Sequence, residues 1–105
     1  MTDIALVRVT CASAAEADRI AAAAIDARLA ACANIGAECR SIYRWHGKVE
    51  CASETPVLFK TTVALAQPLA DRIAALHGYD RPAIEIWPVA VGTDIADWVA
   101  AETDA

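Results

Sequence analysis

The sequence has no cluster of basic residues, although 9 of its 105 residues are Lys or Arg. Its formal net charge is −5. Binding to nucleic acid requires a clustered basic face that displaces counterions, and anionic lipid surfaces attract polybasic segments. The sequence therefore argues against nucleic acid and against a membrane surface as partners.

Long apolar runs are also missing. A membrane-spanning helix needs roughly 20 consecutive apolar residues, whereas the longest candidate, 20–25, is followed by Asp26 and Arg28. The first three residues, Met-Thr-Asp, lack the positive charge of a secretory signal peptide. The apolar stretch 4–9 is too short for such a peptide and contains an arginine. These observations predict a cytoplasmic protein without a membrane span.

Metal-binding and catalytic motifs are scarce. The chain has two histidines and four cysteines, and no two cysteines have the spacing of a C-x-x-C or zinc-ribbon pair. In a reducing cytoplasm the expected state is four free thiols. No Ser/His/Asp or Cys/His constellation stands out, so the chain is not expected to be an enzyme. The cysteines are Cys11, Cys32, Cys39 and Cys51.

What the sequence has in abundance is apolar surface. Hydrophobic residues make up 57% of the chain, and many are alanines, which favour helices. A length of 105 residues predicts one domain over 1–105. A domain of this size hides a limited share of its surface, so the excess favours an oligomer.

Hydrophobic periodicity predicts an α+β chain in the order β-α-β-β-α-β-α. Its first six elements have the split βαβ, ferredoxin-like arrangement, with a long hairpin between the second and third strands and an extra C-terminal helix. The expected bounds are a strand at 4–10, a helix at 13–31, strands at 39–50 and 55–63 with a turn at 50–53, a helix at 64–77, a strand at 84–91, and a last short helix.

Individual residues refine these elements. Ser13-x-x-Glu16 fits a capping box at the start of the first helix. Gly47 is interpreted as a bulge or bend inside the second strand, and Pro56 as the beginning of the third strand or an edge position. Thr93 or Asp94 is expected to cap the last helix. Its predicted inner face is Ile95, Trp98 and Val99, and the tail 102–105 is expected to fray.

Several motifs together resemble the CutA family of divalent-cation tolerance proteins. They are Leu29-Ala30-Ala31-Cys32-Ala33-Asn34, Ser41-Ile42-Tyr43-Arg44-Trp45-His46-Gly47-Lys48, Glu54 with Leu58-Phe59-Lys60-Thr61-Thr62, His77 with Tyr79 and Pro82, and Asp97-Trp98. The resemblance covers nearly the whole chain. It implies a ferredoxin-like fold, a homotrimer built partly by the long hairpin, and a cytoplasmic role in tolerance of metal ions, copper above all.

The chain departs from the family pattern near the end of the second predicted helix. Ala83 stands where the family has glutamate, and Leu76 stands where some members have a second histidine. A first-strand cysteine of some members falls on Val9, with Cys11 nearby. A metal site at these positions would therefore have fewer ligands or a different arrangement of ligands in this chain.

The predicted metal ligands are Cys32, His77 and Glu85, for copper or another divalent cation bound weakly near clefts between subunits. A Cys32 thiolate suits soft ions such as Cu(I); the alternative is a buried thiol at the end of the first helix. His77 offers an imidazole; the alternative is a histidine that interacts with the last helix carbonyls. Glu85 points away from Ile84 and Ile86 by strand alternation.

The hairpin supplies the predicted trimer contacts. Tyr43 and Trp45 share one strand face and favour subunit packing over a ligand pocket. Lys48 is expected on the alternate face with Arg44 and His46, which is either a solvated face or an edge for a small anion. The full predicted interface or cleft set is Tyr43, Trp45, Lys48, Glu54, Lys60 and Tyr79.

Glu54 and Lys60 are expected to form an ion pair across subunits.

Two other functions are compatible with the predicted fold. One is a signalling or scaffold trimer of the PII type that binds a small metabolite or a partner protein. The other is an acylphosphatase-type enzyme, which is disfavoured because Arg8 lies inside a predicted strand and no glycine follows it at 11–13.

Overall fold

Five antiparallel strands and three helices make up the fold in the computed structural model, which describes residues 1–103. The elements are β1 (Thr2–Cys11), α1 (Ala14–Asp26), β2 (Cys32–Ile35), β3 (Cys39–Trp45), β4 (Lys48–Thr61), α2 (Ala66–Leu76), β5 (Ile84–Val91) and α3 (Thr93–Glu102). The strand order is β2-β4-β1-β5, and β3 pairs with a further part of β4. The predicted ferredoxin-like α+β fold is confirmed, with β2 and β3 together taking the place of its second strand.

The core lies between one face of the sheet and helices α1 and α2. On that face Val7 is paired with Phe59 and Val9 with Val57, and all four side chains are fully buried. The other face, which we call the open face, carries the alternate residues of the same strands and is only partly buried. Its central residues are Leu6, Arg8, Leu58 and Lys60.

Helix α1 ends at Asp26, five residues before the predicted end. Arg28 has φ 59°, and its N–H donates to the carbonyl of Ile25. Leu29 donates back to the carbonyl of Ala24. This pair of hydrogen bonds is a Schellman motif, in which Arg28 holds the left-handed position usually taken by glycine. The sequence therefore carried no glycine signal for the helix end, and the alanine-rich pattern extended the prediction too far.

The turn of the hairpin lies at His46 and Gly47, where the prediction placed only a bulge or bend within one strand. Their φ values are 49° and 79°, and positive φ at both central residues is the mark of a type I′ hairpin turn. Trp45 and Lys48 consequently face each other across the turn. The predicted turn at 50–53 is wrong, because those residues continue β4. We call residues 39–54 the arm.

Pro56 lies inside β4, where the prediction allowed only a beginning or an edge. On its two sides β4 changes partner, since Val57 pairs with Ile35 and Glu54 pairs with Cys39. Three residues lie between Ile35 and Cys39, whereas two lie between Glu54 and Val57. The ladder therefore contains a bulge. The Pro56 carbonyl accepts from the N–H of Gly36, and the N–H that proline lacks would point toward the same bulge, where no ladder bond is lost.

Helix α3 differs from the prediction at both ends. Gly92 is its N-cap, with no capping side chain. Of the predicted inner face only Val99 is buried, while Ile95 and Trp98 are about 40% exposed. At the C-terminus Thr103 is buried, and its hydroxyl donates to the carbonyl of Val99 over 2.7 Å. The predicted fraying is wrong at that residue, and residues 104–105 lie outside the described residues.

None of the helices within residues 1–103 has both the length and the apolar character required to cross a membrane.

Replacing Gly47 by Ala is expected to lower the free energy of unfolding by roughly 1–2 kcal/mol. No atom lies within 4 Å of the added Cβ, so the cost comes only from the positive φ. Gly47→Asn is the matched control, because asparagine tolerates this conformation better. Urea unfolding of both variants checks the prediction, and equal losses for Ala and Asn would contradict it.

Candidate functional site

A thiol, a carboxylate and an imidazole meet where β1 ends, α1 begins and α2 ends. Ligand atoms of Cys11, Glu16 and His77 all lie within 4.8 Å of one another, and this is the one group of at least three such residues found within 1–103. Sulfur, oxygen and nitrogen donors in this combination suit zinc and copper ions. We call these three residues the metal-candidate cluster.

Glu16 holds the surrounding backbone together. One carboxylate oxygen accepts from the N–H of Ala12 over 3.0 Å, and the other from the N–H of Gly78 over 2.9 Å. Burial raises the pKa of Glu16, but these two donors and the charge of Arg19 outweigh it and bring the pKa below its ordinary 4.5. The Ser13 hydroxyl accepts from the Glu16 N–H, as predicted, while the returning bond goes to Ala12.

The tautomer of His77 follows from its two hydrogen-bond partners. Nε2 lies 2.8 Å from the carbonyl oxygen of Thr10, which only accepts, so Nε2 carries the proton. Nδ1 lies 3.1 Å from the N–H of Tyr79, which only donates, so Nδ1 is the acceptor. His77 is therefore a neutral imidazole with both nitrogens occupied, and its side chain is fully buried.

Cys11 is a protonated thiol in this environment. Its side chain is fully buried on the core face, next to Glu16. Burial first, and then the charges of Glu16 and Glu54 against that of Arg19, raise the pKa of this thiol to about 11. A metal ion at the cluster would have to displace protons from both Cys11 and His77, and it would break the bond from His77 to Thr10.

A second carboxylate continues the network from His77 toward the arm. The Tyr79 hydroxyl donates to Glu54 over 3.0 Å, and the rings of His77 and Tyr79 lie 4.7 Å apart. Burial and the hydrogen bond to Glu54 raise the pKa of Tyr79 to about 12. Burial raises the pKa of Glu54, but hydrogen bonds from Ser41, Tyr79 and Thr10 outweigh it and bring the pKa below 4.5.

The structure does not bring Cys32, His77 and Glu85 together within one chain. Cys32 begins β2 and is paired with Lys60, so its predicted place at a helix end is wrong. Glu85 is on β5, three strands away across the sheet, and forms a salt bridge of 3.1 Å with Arg8. A metal site made by these residues would have to join different subunits, and it stays a prediction.

The predicted hairpin residues are found in three settings. Tyr43, Trp45 and Lys48 share one face of the arm, because Lys48 is paired with Trp45 across the turn. The prediction that put Lys48 on the opposite face is wrong, since it assumed one continuous strand. Glu54 is buried against Tyr79. Lys60 contacts Asn34 and Cys32, so within the chain the predicted Glu54–Lys60 pair does not form, and a pair between subunits stays a prediction.

Sequence reasoning missed Cys11 and Glu16 as members of a site. The sequence predicts Cys11 only as one of four free thiols and Glu16 only as a helix cap. Their separation from His77 by more than 60 residues hides the cluster in the sequence. A usable signal did exist: the capping box places Glu16 at the helix start, directly after the strand that ends at Cys11.

The fold and the cluster define a class: a ferredoxin-like α+β protein with an extended arm and one group of side chains that could ligate a metal. Comparison with known proteins narrows this class. Residues 5–102 match the family model described as CutA1 divalent ion tolerance protein. The chain belongs to the CutA family of divalent-cation tolerance proteins, a family named for tolerance and not for a reaction.

Individual relatives agree with the family match. The divalent-cation tolerance protein CutA of Thermus thermophilus is 40% identical over 99 residues, which are 93% of this chain and 96% of the relative. The human protein CutA is 36% identical over 98 residues, and the chain spans 55% of its length. The crystal structure of CutA1 from Ehrlichia chaffeensis superposes with a TM-score of 0.92 at 32% identity, covering 100% of this chain and 99% of that one. A structure from Archaeoglobus fulgidus, described as a periplasmic CutA, superposes with a TM-score of 0.91 at 31% identity, covering 98% and 100%.

Proposed function

We propose that the protein acts in the cytoplasm as a homotrimer that binds copper or another divalent cation weakly, close to the clefts between its subunits. The role is binding and not catalysis. The observation that carries the proposal is the metal-candidate cluster, which places three donor types within reach of one ion in a member of a divalent-cation tolerance family.

The hydrogen bonds of the cluster explain why binding would be weak. An ion must remove the proton of Cys11, whose pKa is raised to about 11. It must also take Nε2 of His77 from the Thr10 carbonyl, 2.8 Å away. Both costs subtract from the free energy of metal coordination, because ligands must be deprotonated before they bind.

The exposed apolar side chains and the shape of the arm support the proposed trimer. One of its faces exposes Tyr43 and Trp45 by 44% and 54%, and the other exposes Ile42 and Val49 by 67% and 64%. An isolated two-stranded hairpin with no covered face is marginal in water. The longest dimension of the chain is 45 Å against 25 and 22 Å for the others. An arm of this shape favours burial against further copies of the chain.

Replacing Cys11 by Ser is expected to weaken Cu(I) and Zn(II) binding by at least about tenfold, because the hydroxyl is a poor soft-metal ligand. Titration of the reduced, assembled protein against a competing chelator measures the loss. Cys51→Ser is the matched control, since Cys51 is exposed and outside the cluster. Unchanged affinity in Cys11→Ser would exclude the cluster. Loss of affinity in Cys32→Ser instead would favour the intersubunit set predicted from the sequence.

The same hydrogen bonds favour a second candidate, a PII-like scaffold trimer. Within residues 1–103 every buried side-chain nitrogen and oxygen has a partner, which suits a structural role for the cluster. The intersubunit clefts would then bind a small metabolite or a partner protein. A thermal-shift series with nucleotides and organic anions tests this candidate, and a shift with one of them but none with metals would favour it.

A further inference from the structure

Cys32, Lys60 and Asn34 form a second polar cluster, on the open face of the sheet. The Lys60 ammonium lies 3.9 Å from the Cys32 sulfur and 3.0 Å from the Asn34 side-chain oxygen. The Cys32 sulfur lies 3.5 Å from the same oxygen. Thiol and amine therefore share one acceptor, which holds them next to each other.

The sheet fixes this arrangement. Cys32 is directly opposite Lys60 in the β2–β4 ladder, and Asn34 is two residues along β2 on the same face. Directly opposed residues in an antiparallel pair have Cβ atoms about 5 Å apart. The lysine side chain is long and flexible, so Nζ can approach the sulfur without a shift of either strand.

A cationic neighbour changes what Cys32 is suited to do. The Lys60 ammonium repels a divalent cation at the sulfur, which opposes metal binding there within one chain. A partly exposed thiol beside a lysine has instead the surroundings of a redox-responsive cysteine.

We propose that hydrogen peroxide converts Cys32 and Lys60 into a covalent sulfur–nitrogen crosslink. The Cys32 sulfur attacks one peroxide oxygen, the O–O bond breaks, and the leaving hydroxide takes the thiol proton to form water. The Cys32 sulfenic acid then loses its hydroxyl to attack by the Lys60 amine. The ammonium gives one proton to solvent, a second nitrogen proton leaves with the hydroxyl as water, and the product is S–NH. Sulfur is oxidised and peroxide is reduced.

The other cysteines lack this combination. Cys11 is buried and holds its proton, so it is protected from oxidation. Cys51 is exposed, but the residue opposite it in the ladder is Ile42, which has no amine. Cys39 is opposite Glu54, which has none either. Exposure alone would favour Cys51, whereas proximity to an amine singles out Cys32 for the crosslink.

The crosslink would join β2 to β4 and remove one positive charge from the open face. It closes a loop between residues 32 and 60 that contains the whole arm. A link of this kind restricts the unfolded chain, so the oxidised protein is expected to melt at a higher temperature than the reduced protein.

The test uses the assembled protein in a Cys51→Ser background, which removes the most exposed thiol. Peroxide treatment is expected to lower the intact mass by about 2 Da, as two hydrogens are lost overall. Proteolysis should yield one linked peptide pair containing Cys32 and Lys60, and reduction with dithiothreitol should restore the original mass and melting temperature.

Lys60→Arg is the matched variant, because it keeps the positive charge and has no amine that condenses with the sulfenic acid. In this variant Cys32 is expected to proceed to sulfinic acid with no linked pair. The proposal is overturned if wild-type Cys32 stays a thiol under peroxide, or if wild type and Lys60→Arg give the same oxidised cysteine. Metal affinity is measured separately, so a failed crosslink does not contradict the proposed metal binding. Likewise, absence of metal binding does not contradict the crosslink.

Discussion

Replacing Trp45 by Ala is expected to dissociate the proposed trimer. Trp45 is 54% exposed in the single chain, and its one described ring contact is with His46. Its removal therefore costs the isolated subunit little. A buried tryptophan at an interface often contributes 2 kcal/mol or more to association, which corresponds to a loss of roughly 30-fold or more per contact.

Size-exclusion chromatography with mass detection over a dilution series measures this effect. The variant should release monomer at concentrations where the parent remains assembled, and its melting temperature should fall with dilution. Arg44→Ala is the matched control, since Arg44 is the preceding residue and points to the opposite face of the arm. The interpretation of the arm is wrong if Trp45→Ala keeps both its mass and its melting temperature, or if Arg44→Ala dissociates equally.

Replacing Glu16 by Ala is expected to lower the free energy of unfolding by about 3 kcal/mol. Hydrogen bonds to a charged group contribute about 1.5–3 kcal/mol each, and the Glu16 carboxylate accepts two, from Ala12 and Gly78. Its side chain is only 11% exposed, so water replaces the lost acceptor poorly. Loss of the bond to Gly78 also frees the segment that positions His77 and Tyr79.

The pH dependence of this effect has a definite sign. Because the pKa of Glu16 in the folded protein is below 4.5, its ordinary value, the carboxylate stabilises the fold above that pH. The contribution is lost as pH falls through the lowered pKa. The stability difference between the parent and Glu16→Gln should therefore be full at pH 7 and shrink as pH falls below 4.5.

Urea unfolding at fixed protein concentration, repeated over that pH range, provides the measurement. Glu16→Gln keeps one acceptor oxygen and places an NH₂ group toward a backbone N–H, so its loss at pH 7 should be smaller than that of Glu16→Ala. Asp18→Asn is the control, because Asp18 is exposed on the same helix. A difference that stays constant down to pH 3 would show that folding does not lower the pKa of Glu16.

Local chemistry made part of this protein predictable. The strand 84–91 was predicted with its observed bounds, because β-branched residues and a proline suited to an edge strand identify it. Ser13 was predicted as the start of a helix and is the observed N-cap of α1. The prediction succeeded because a serine followed three residues later by glutamate can satisfy free backbone N–H groups at a helix start.

The errors arise where a residue other than glycine adopts a left-handed backbone conformation that glycine usually takes. Arg28 ends α1 in a left-handed conformation, and His46 takes a positive φ in the hairpin turn. Both positions would be recognised if they were glycine. The shifted turn then changed the assumed face of Lys48, because a strand and its return differ in which residues share a side.

The sequence by itself determined the fold class, the order of its main elements and the family, because each depends on short-range periodicity and on motifs that are contiguous in the chain. The tertiary structure alone decided which side chains meet. Cys11 and Glu16 join His77 only where the end of β1, the start of α1 and the end of α2 converge. Cys32 lies next to Lys60 only because of the register of β2 against β4. Sequence spacing alone does not decide such contacts, since one residue of register shift would turn the strand residues Cys11, Cys32 and Lys60 to the opposite face.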